Sequence, residues 1–136
     1  MPVEPGTTGE ASIVVANSDL AAALNQLSTD GFPAVLATAR MIGLMELAAA
    51  RAMQAVLDIG ELSVGVRIEV THSAATPAGA GVSAEATFVA MDGGQFIFEV
   101  TARDSGGEIG HGTHRRAVVT AARLLQGAQR RCGVRG

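Results

Sequence analysis

The chain has 136 residues, with ten Lys and Arg against thirteen Asp and Glu and a formal net charge of -3 at pH 7. That length supports one domain with a modest core, and the slightly acidic balance leaves no basic footprint for nucleic acid. Four Phe with no Trp or Tyr leave little for base stacking, and the single Cys132 excludes an intramolecular disulfide and a cysteine-based zinc site.

The amino end, "MPVEPGTTGEASIVV", has neither a basic n-region nor a long apolar run. No signal peptide is expected there. Nowhere does the chain reach the roughly 18 uninterrupted apolar residues of a membrane span. A soluble, cytoplasmic domain filling residues 1–136 is therefore expected, with 1–10 and 131–136 flexible. The tail "RRCGVRG" is basic and glycine-flanked; it reads as a frayed end rather than a binding arm.

In chain order, "ASIVV" (11–15) predicts a short strand, and "NSDLAAALNQL" one or two helical turns capped by Ser18 or Asp19. Gly31 and Pro33 then break regularity. The longest helical pattern follows, over about 38–57, and closes near Gly60. On its wheel Met41, Ile42, Met45, Ala48, Ala49, Ala52, Met53 and Val56 fill one broad arc, with Arg40, Gly43, Arg51 and Gln54 opposite. Leu44 and Leu47 interrupt the polar side, so burial over most of the circumference is expected.

From residue 63 the period becomes two. Strands are expected over 63–74, 80–91, 95–104 and 108–120, joined by "TPAG", "MDGG" and "DSGG", which are hairpin-type turns. "ARLLQGAQRR" closes the chain as a short amphipathic helix. Consecutive hairpins after one apolar helix give an α+β domain, a curved antiparallel sheet wrapped around that helix. Apolar surface left over by so small a sheet implies a dimer.

Two polar residues interrupt apolar faces. Strict alternation puts Val64, Val66, Ile68, Val70 and His72 on one face of the first long strand. Glu46 falls inside the apolar arc of the helix, where an unpaired carboxylate is costly. A carboxylate beside an imidazole in a core shifts proton affinities and suits base or nucleophile work, although a self-satisfying structural pair is the bland alternative. Thr38, just ahead of the helix, adds a hydroxyl at the same mouth, with an ordinary N-cap as its bland role. In "EIGHGTHRRAVV" the alternation separates Ile109, His111, Thr113 and Arg115 from Gly110, Gly112, His114 and Arg116. The two histidines lie on opposite faces, so no joint metal site is expected. The paired glycines permit close backbone approach, or simply a bend.

The order "FPAVLATARMIGLMELAAARAM", "VGVRIEVTHSAATPAG", "EIGHGTHRRAVV" resembles the hot-dog-fold thioesterases of the fluoroacetyl-CoA thioesterase group over residues 30–120. The distinctive parts are Thr, Glu and His in "AT…GLMELA…VTHSAA" and the "G.GTH.RAV" strand. The resemblance implies a dimer, or a dimer of dimers, with sites at the interface. It also implies a catalytic Thr38, Glu46 and His72, with Gly65 near the reacting carbonyl. Arg116 matches the arginine of the strand motif; it is expected to point outward, toward coenzyme A phosphates or the other subunit's acids. Phe32 matches one aromatic of the family's lid, while Thr29 replaces a second, implying a smaller and wetter lid.

In the family picture Glu46 attacks the thioester carbonyl or activates water. His72 orients it and moves protons, and Thr38 donates a hydrogen bond. A backbone N–H near Gly65 would be a second donor to the oxyanion. No cofactor or metal is implied, because coenzyme A is part of the substrate. A non-catalytic acyl-CoA binder and an enoyl-thioester hydratase are the alternatives, although the Asp/His arrangement of the hydratases is not found.

Overall fold

The computed structural model describes residues 3–135. Its elements are β1 (Thr8–Val14), two 3-10 turns (Asn17–Asp19 and Ala21–Leu24), α1 (Thr38–Ala52), a 3-10 turn (Gln54–Val56), β2 (Glu61–His72), β3 (Gly81–Asp92), β4 (Gln95–Asp104), β5 (Gly107–Thr120) and α2 (Ala121–Cys132). All five strands form one antiparallel sheet in the order β1-β3-β4-β5-β2, which leaves β1 and β2 as its edges. The two hairpins joining β3, β4 and β5, and the long element ahead of them, match the sequence pattern; "TPAG" is not a hairpin turn, because β2 pairs with β5 across the sheet and not with β3. At "MDGG", Gly93 and Gly94 both carry positive φ, as the tight two-residue turn demands.

The concave side of the sheet holds α1. Met41, Leu44, Met45, Ala48, Ala49 and Ala52 are buried along it and pack with Ala84, Ala86, Phe88, Phe98 and Val100 from β3 and β4. Alanines on that face let the helix seat closely, and the buried methionines fill the irregular gaps left over. Truncating one of them to Ala would cost about 2–5 kcal/mol. Leu44 belongs to this buried face, whereas Leu47 is exposed. The helix stops at Ala52, short of the expected 57, and Gln54–Val56 continues as a 3-10 turn.

Other differences come from pairing rather than local pattern. Thr8–Glu10 lie in β1, not in a flexible arm, because they pair with Thr87–Glu85 of β3. Arg131 and Cys132 belong to α2. Met1, Pro2 and Gly136 lie outside the described residues, so the expected flexibility of the ends is not addressed there.

The register of β2 carries the main correction. Gly65 pairs with Arg116 and Arg67 with Arg115, so Val66 is an extra residue in a β-bulge. A bulge inverts the alternation on either side of itself. Ile68, Val70 and His72 share the parity of His114, Gly112 and Gly110, but beyond the bulge that face continues as Gly65 and Ser63. Val64 and Val66 therefore do not continue the His72 stripe. A second bulge, at Ile109 between the pairs Ala102–Gly110 and Arg103–Glu108, turns that side chain into the core. As a result Gly110, His114 and Arg116 are buried together with Ile109, and Gly110 lies under Met41.

Candidate active site

Two polar clusters line the helix side of β2, one at each end. At the first, Thr38 is the opening residue of α1, and the N-cap is Ala37. The Thr38 hydroxyl is therefore not spent on capping. Its Oγ1 lies 2.8 Å from His72 Nδ1, at the last residue of β2. The other ring nitrogen, Nε2, is buried and has no hydrogen-bond partner among the described residues. Such an atom is costly to leave unused.

This pair borders a cleft of about 510 Å³ lined by apolar groups, including Ala21, Leu24, Phe32, Pro33, Val35 and Ala75. Phe32 stands half-exposed at the cleft, as a lid residue would. The first turn of α1 is tied to the preceding 3-10 turn by Asp19, which accepts from Arg40 Nε at 2.7 Å and from the Ala16 amide at 2.8 Å. The amide bond, then the Arg40 contact, hold the Asp19 carboxyl below its usual range.

The second cluster surrounds Glu46, two helical turns further on. Its side chain is 43% exposed, so the carboxylate sits on the flank of α1 facing β2 rather than inside the core. Gly65 is directly below it: a Cβ there would lie 2.8 Å from Glu46 Oε1 and 3.0 Å from His114 Cε1. Arg116 is buried, not outward, and its Nη1 lies 3.8 Å from Glu46 Oε2. Its Nε donates to Ser63 Oγ and its Nη2 to Ser63 O, both at 2.9 Å. Its Nη1 reaches His114 Nε2 at 3.0 Å, while His114 Nδ1 lies 2.8 Å from the Arg67 carbonyl oxygen.

A buried cation needs such partners, since desolvation alone would be prohibitive. Burial lowers the Arg116 pKa from the ordinary arginine value, and the Glu46 charge opposes this; the guanidinium stays cationic at neutral pH. Burial also pushes His114 below the usual imidazole range, with Arg116 adding to the effect against the Arg67 hydrogen bond and Glu46. His111, on the outer face, is exposed and paired with Glu108 at 2.9 Å.

Thus Thr38 and His72 come together, as do Glu46, Gly65 and Arg116. The two groups do not meet within one chain, contrary to the expected Glu46–His72 pair. Eight residues of helix separate Thr38 from Glu46, a rise of about 12 Å. Pattern reading missed Ser63, whose facing depends on the Val66 bulge, and the inward role of His114, which follows from the Ile109 bulge.

The family model described as FlK, fluoroacetyl-CoA-specific thioesterase, matches residues 15–122. A fluoroacetyl-CoA thioesterase from Streptantibioticus cattleyicolor is 49% identical over 88 residues, covering 65% of this chain. The matched part spans 63% of that relative's length. The solved structure of the fluoroacetyl-CoA thioesterase FlK superposes with a TM-score of 0.89 at 36% identity, covering 96% of this chain and 98% of that one. A hot-dog-like protein from Thermanaerovibrio acidaminovorans gives 0.80 at 26% identity, covering 96% and 94%. The sheet curled around α1 is thus a hot-dog fold.

Proposed function

Because the chain belongs to the fluoroacetyl-CoA-specific thioesterase family, we propose that it hydrolyses short-chain acyl-CoA thioesters to the free acid and coenzyme A. The observation that carries this reading is the Thr38–His72 hydrogen bond beside an apolar cleft, with His72 Nε2 left without a partner. Similarity to thioesterases of known substrate supports the same chemistry.

The site we propose is completed by a second copy. β2 is an edge strand of twelve residues, and long unpaired edges are templates for pairing. Antiparallel pairing of β2 with its own copy about a two-fold axis would bring the His72 end of one chain beside the Gly65 end of the other. Thr38 and His72 of one copy would then face Glu46, Gly65 and Arg116 of the second. Val66 and Leu47, exposed on that flank, would be covered.

In this arrangement the acyl group enters the cleft under Phe32. Glu46 of the second copy attacks the carbonyl or activates water, and His72 transfers protons between water and the leaving thiol. Thr38 and a backbone N–H near Gly65 donate to the developing oxyanion. One such donor contributes around 3 kcal/mol at the transition state. No cofactor takes part. A free Cys132 and an acyl-CoA substrate fit the reducing cytoplasm.

The test is thiol release from acetyl-, propionyl- and fluoroacetyl-CoA. Glu46→Gln should lower turnover by orders of magnitude with the melting temperature unchanged or raised. Absence of thiol release by the wild-type protein from every acyl-CoA tried would leave the pocket a binding site and reject the enzyme.

A further inference from the structure

His114 is fully buried next to Arg116, although no step of the proposed hydrolysis uses it. Its two ring nitrogens have different partners. The Arg67 carbonyl, immediately after the Val66 bulge, can only accept, so Nδ1 carries the proton. Nε2 is then a bare acceptor, and Arg116 Nη1 donates to it at 3.0 Å. The opposite edge of the guanidinium is fixed by Ser63 Oγ and Ser63 O at 2.9 Å. Together these contacts determine where the charge sits relative to Glu46, 3.8 Å away.

We propose that His114 is a positioning residue: a neutral imidazole in the Nδ1–H form that aims Arg116 at the Glu46 carboxylate and, through it, at the reacting end of the acyl thioester. This rests on the reading that Glu46 and Arg116 line the acyl site, and it adds a residue that touches neither substrate nor carboxylate. The bulge is part of the device. Were Val66 paired in a regular ladder instead of bulged out, Val64 and Val66 would take this face, Ser63 and Gly65 the other, and Arg116 would lose the Ser63 hydroxyl.

The groups facing His114 set the sign of its pH dependence. Arg116 lies beside it on β5, Glu46 faces it from α1, and β2 contributes only the Arg67 carbonyl. Protonation would place an N–H against the Arg116 N–H, which ejects the guanidinium from its place. Burial holds the folded-state pKa below the ordinary value of 6.5. A depressed pKa makes the neutral form's contribution to stability complete above that ordinary value. The contribution is lost as pH falls from there through the folded-state pKa.

The experiment has two arms. Long-range proton–nitrogen NMR of the wild-type imidazoles reads the tautomer without any substrate. The expected result is a neutral Nδ1–H ring for His114 that takes up its proton only below the ordinary value of 6.5; a ring in the Nε2–H form, or one titrating at or above 6.5, overturns the proposal. That arm is unaffected if the protein proves not to be a thioesterase.

The kinetic arm is a double-mutant cycle. His114→Leu should lower kcat on the order of ten- to a hundredfold, the range for losing one hydrogen bond to a charged group. His114→Gln, which keeps one donor and one acceptor, should recover most of that loss. In an Arg116→Ala background, His114→Leu should cost little more. Losses that multiply, or a Gln variant as slow as the Leu variant, would show that His114 only fills the core.

Discussion

Gly65 lies beneath Glu46 so closely that a methyl group on its α-carbon would stand 2.8 Å from the carboxylate oxygen. The same methyl would meet His114 Cε1 at 3.0 Å, from the other side. The imidazole is held between Arg67 and Arg116 and cannot yield, whereas the half-exposed carboxylate can. Gly65→Ala should therefore displace Glu46. The cost in stability should be modest, about 1–2 kcal/mol, with thioester hydrolysis falling much further than that figure implies. Paired measurements of melting temperature and thiol release check this. A variant with full activity would show that the position of Glu46 above Gly65 does not matter.

Thr38 and His72 act as a pair, so their substitutions should not be additive. Thr38→Val keeps the shape but removes the hydroxyl from Nδ1. It should leave folding intact, because the Thr38 hydroxyl caps no helix N–H, and slow hydrolysis by about one to two orders of magnitude. His72→Ala should be slower still, and the double variant no slower than His72→Ala alone. A Thr38→Val protein that loses stability instead would make the hydroxyl a structural group.

The acyl preference follows from the lid. Phe32 stands at the cleft, and Thr29 falls where the family resemblance leads one to expect a second lid aromatic. A smaller, wetter cover should discriminate poorly between groups differing by one fluorine. The expected kcat/KM ratio of fluoroacetyl- to acetyl-CoA is within about tenfold, the scale of a small packing difference. Thr29→Phe should raise it. A large ratio in the wild-type protein would locate selectivity away from the lid.

How much of this was legible in the sequence depended on range. The period change after α1, the turn at Gly93–Gly94 and the long central helix are local patterns, and all three appear in the fold. The family motifs singled out Thr38, Glu46, His72, Gly65 and Arg116 as well. Their grouping was not legible. Strict alternation placed Val64 with His72, and the family resemblance left Arg116 pointing outward, because a bulge leaves no composition signature: Val66 on β2 and Ile109 on β5 look like any strand residues. Glu46 looked buried on a helical wheel, yet it faces the open flank beside an edge strand. A wheel records direction and says nothing of what covers that direction.

That flank is where a second copy enters the account. Glu46→Gln and His72→Ala proteins should each be nearly inactive in thiol release. If one site draws Glu46 from one chain and His72 from the other, mixed dimers hold one intact site. After co-refolding in equal amounts, about a quarter of wild-type turnover should return, since half the dimers are mixed and each has one good site of two. Mixed dimers that form, as read by mass spectrometry, and remain as inactive as their parents would contradict it.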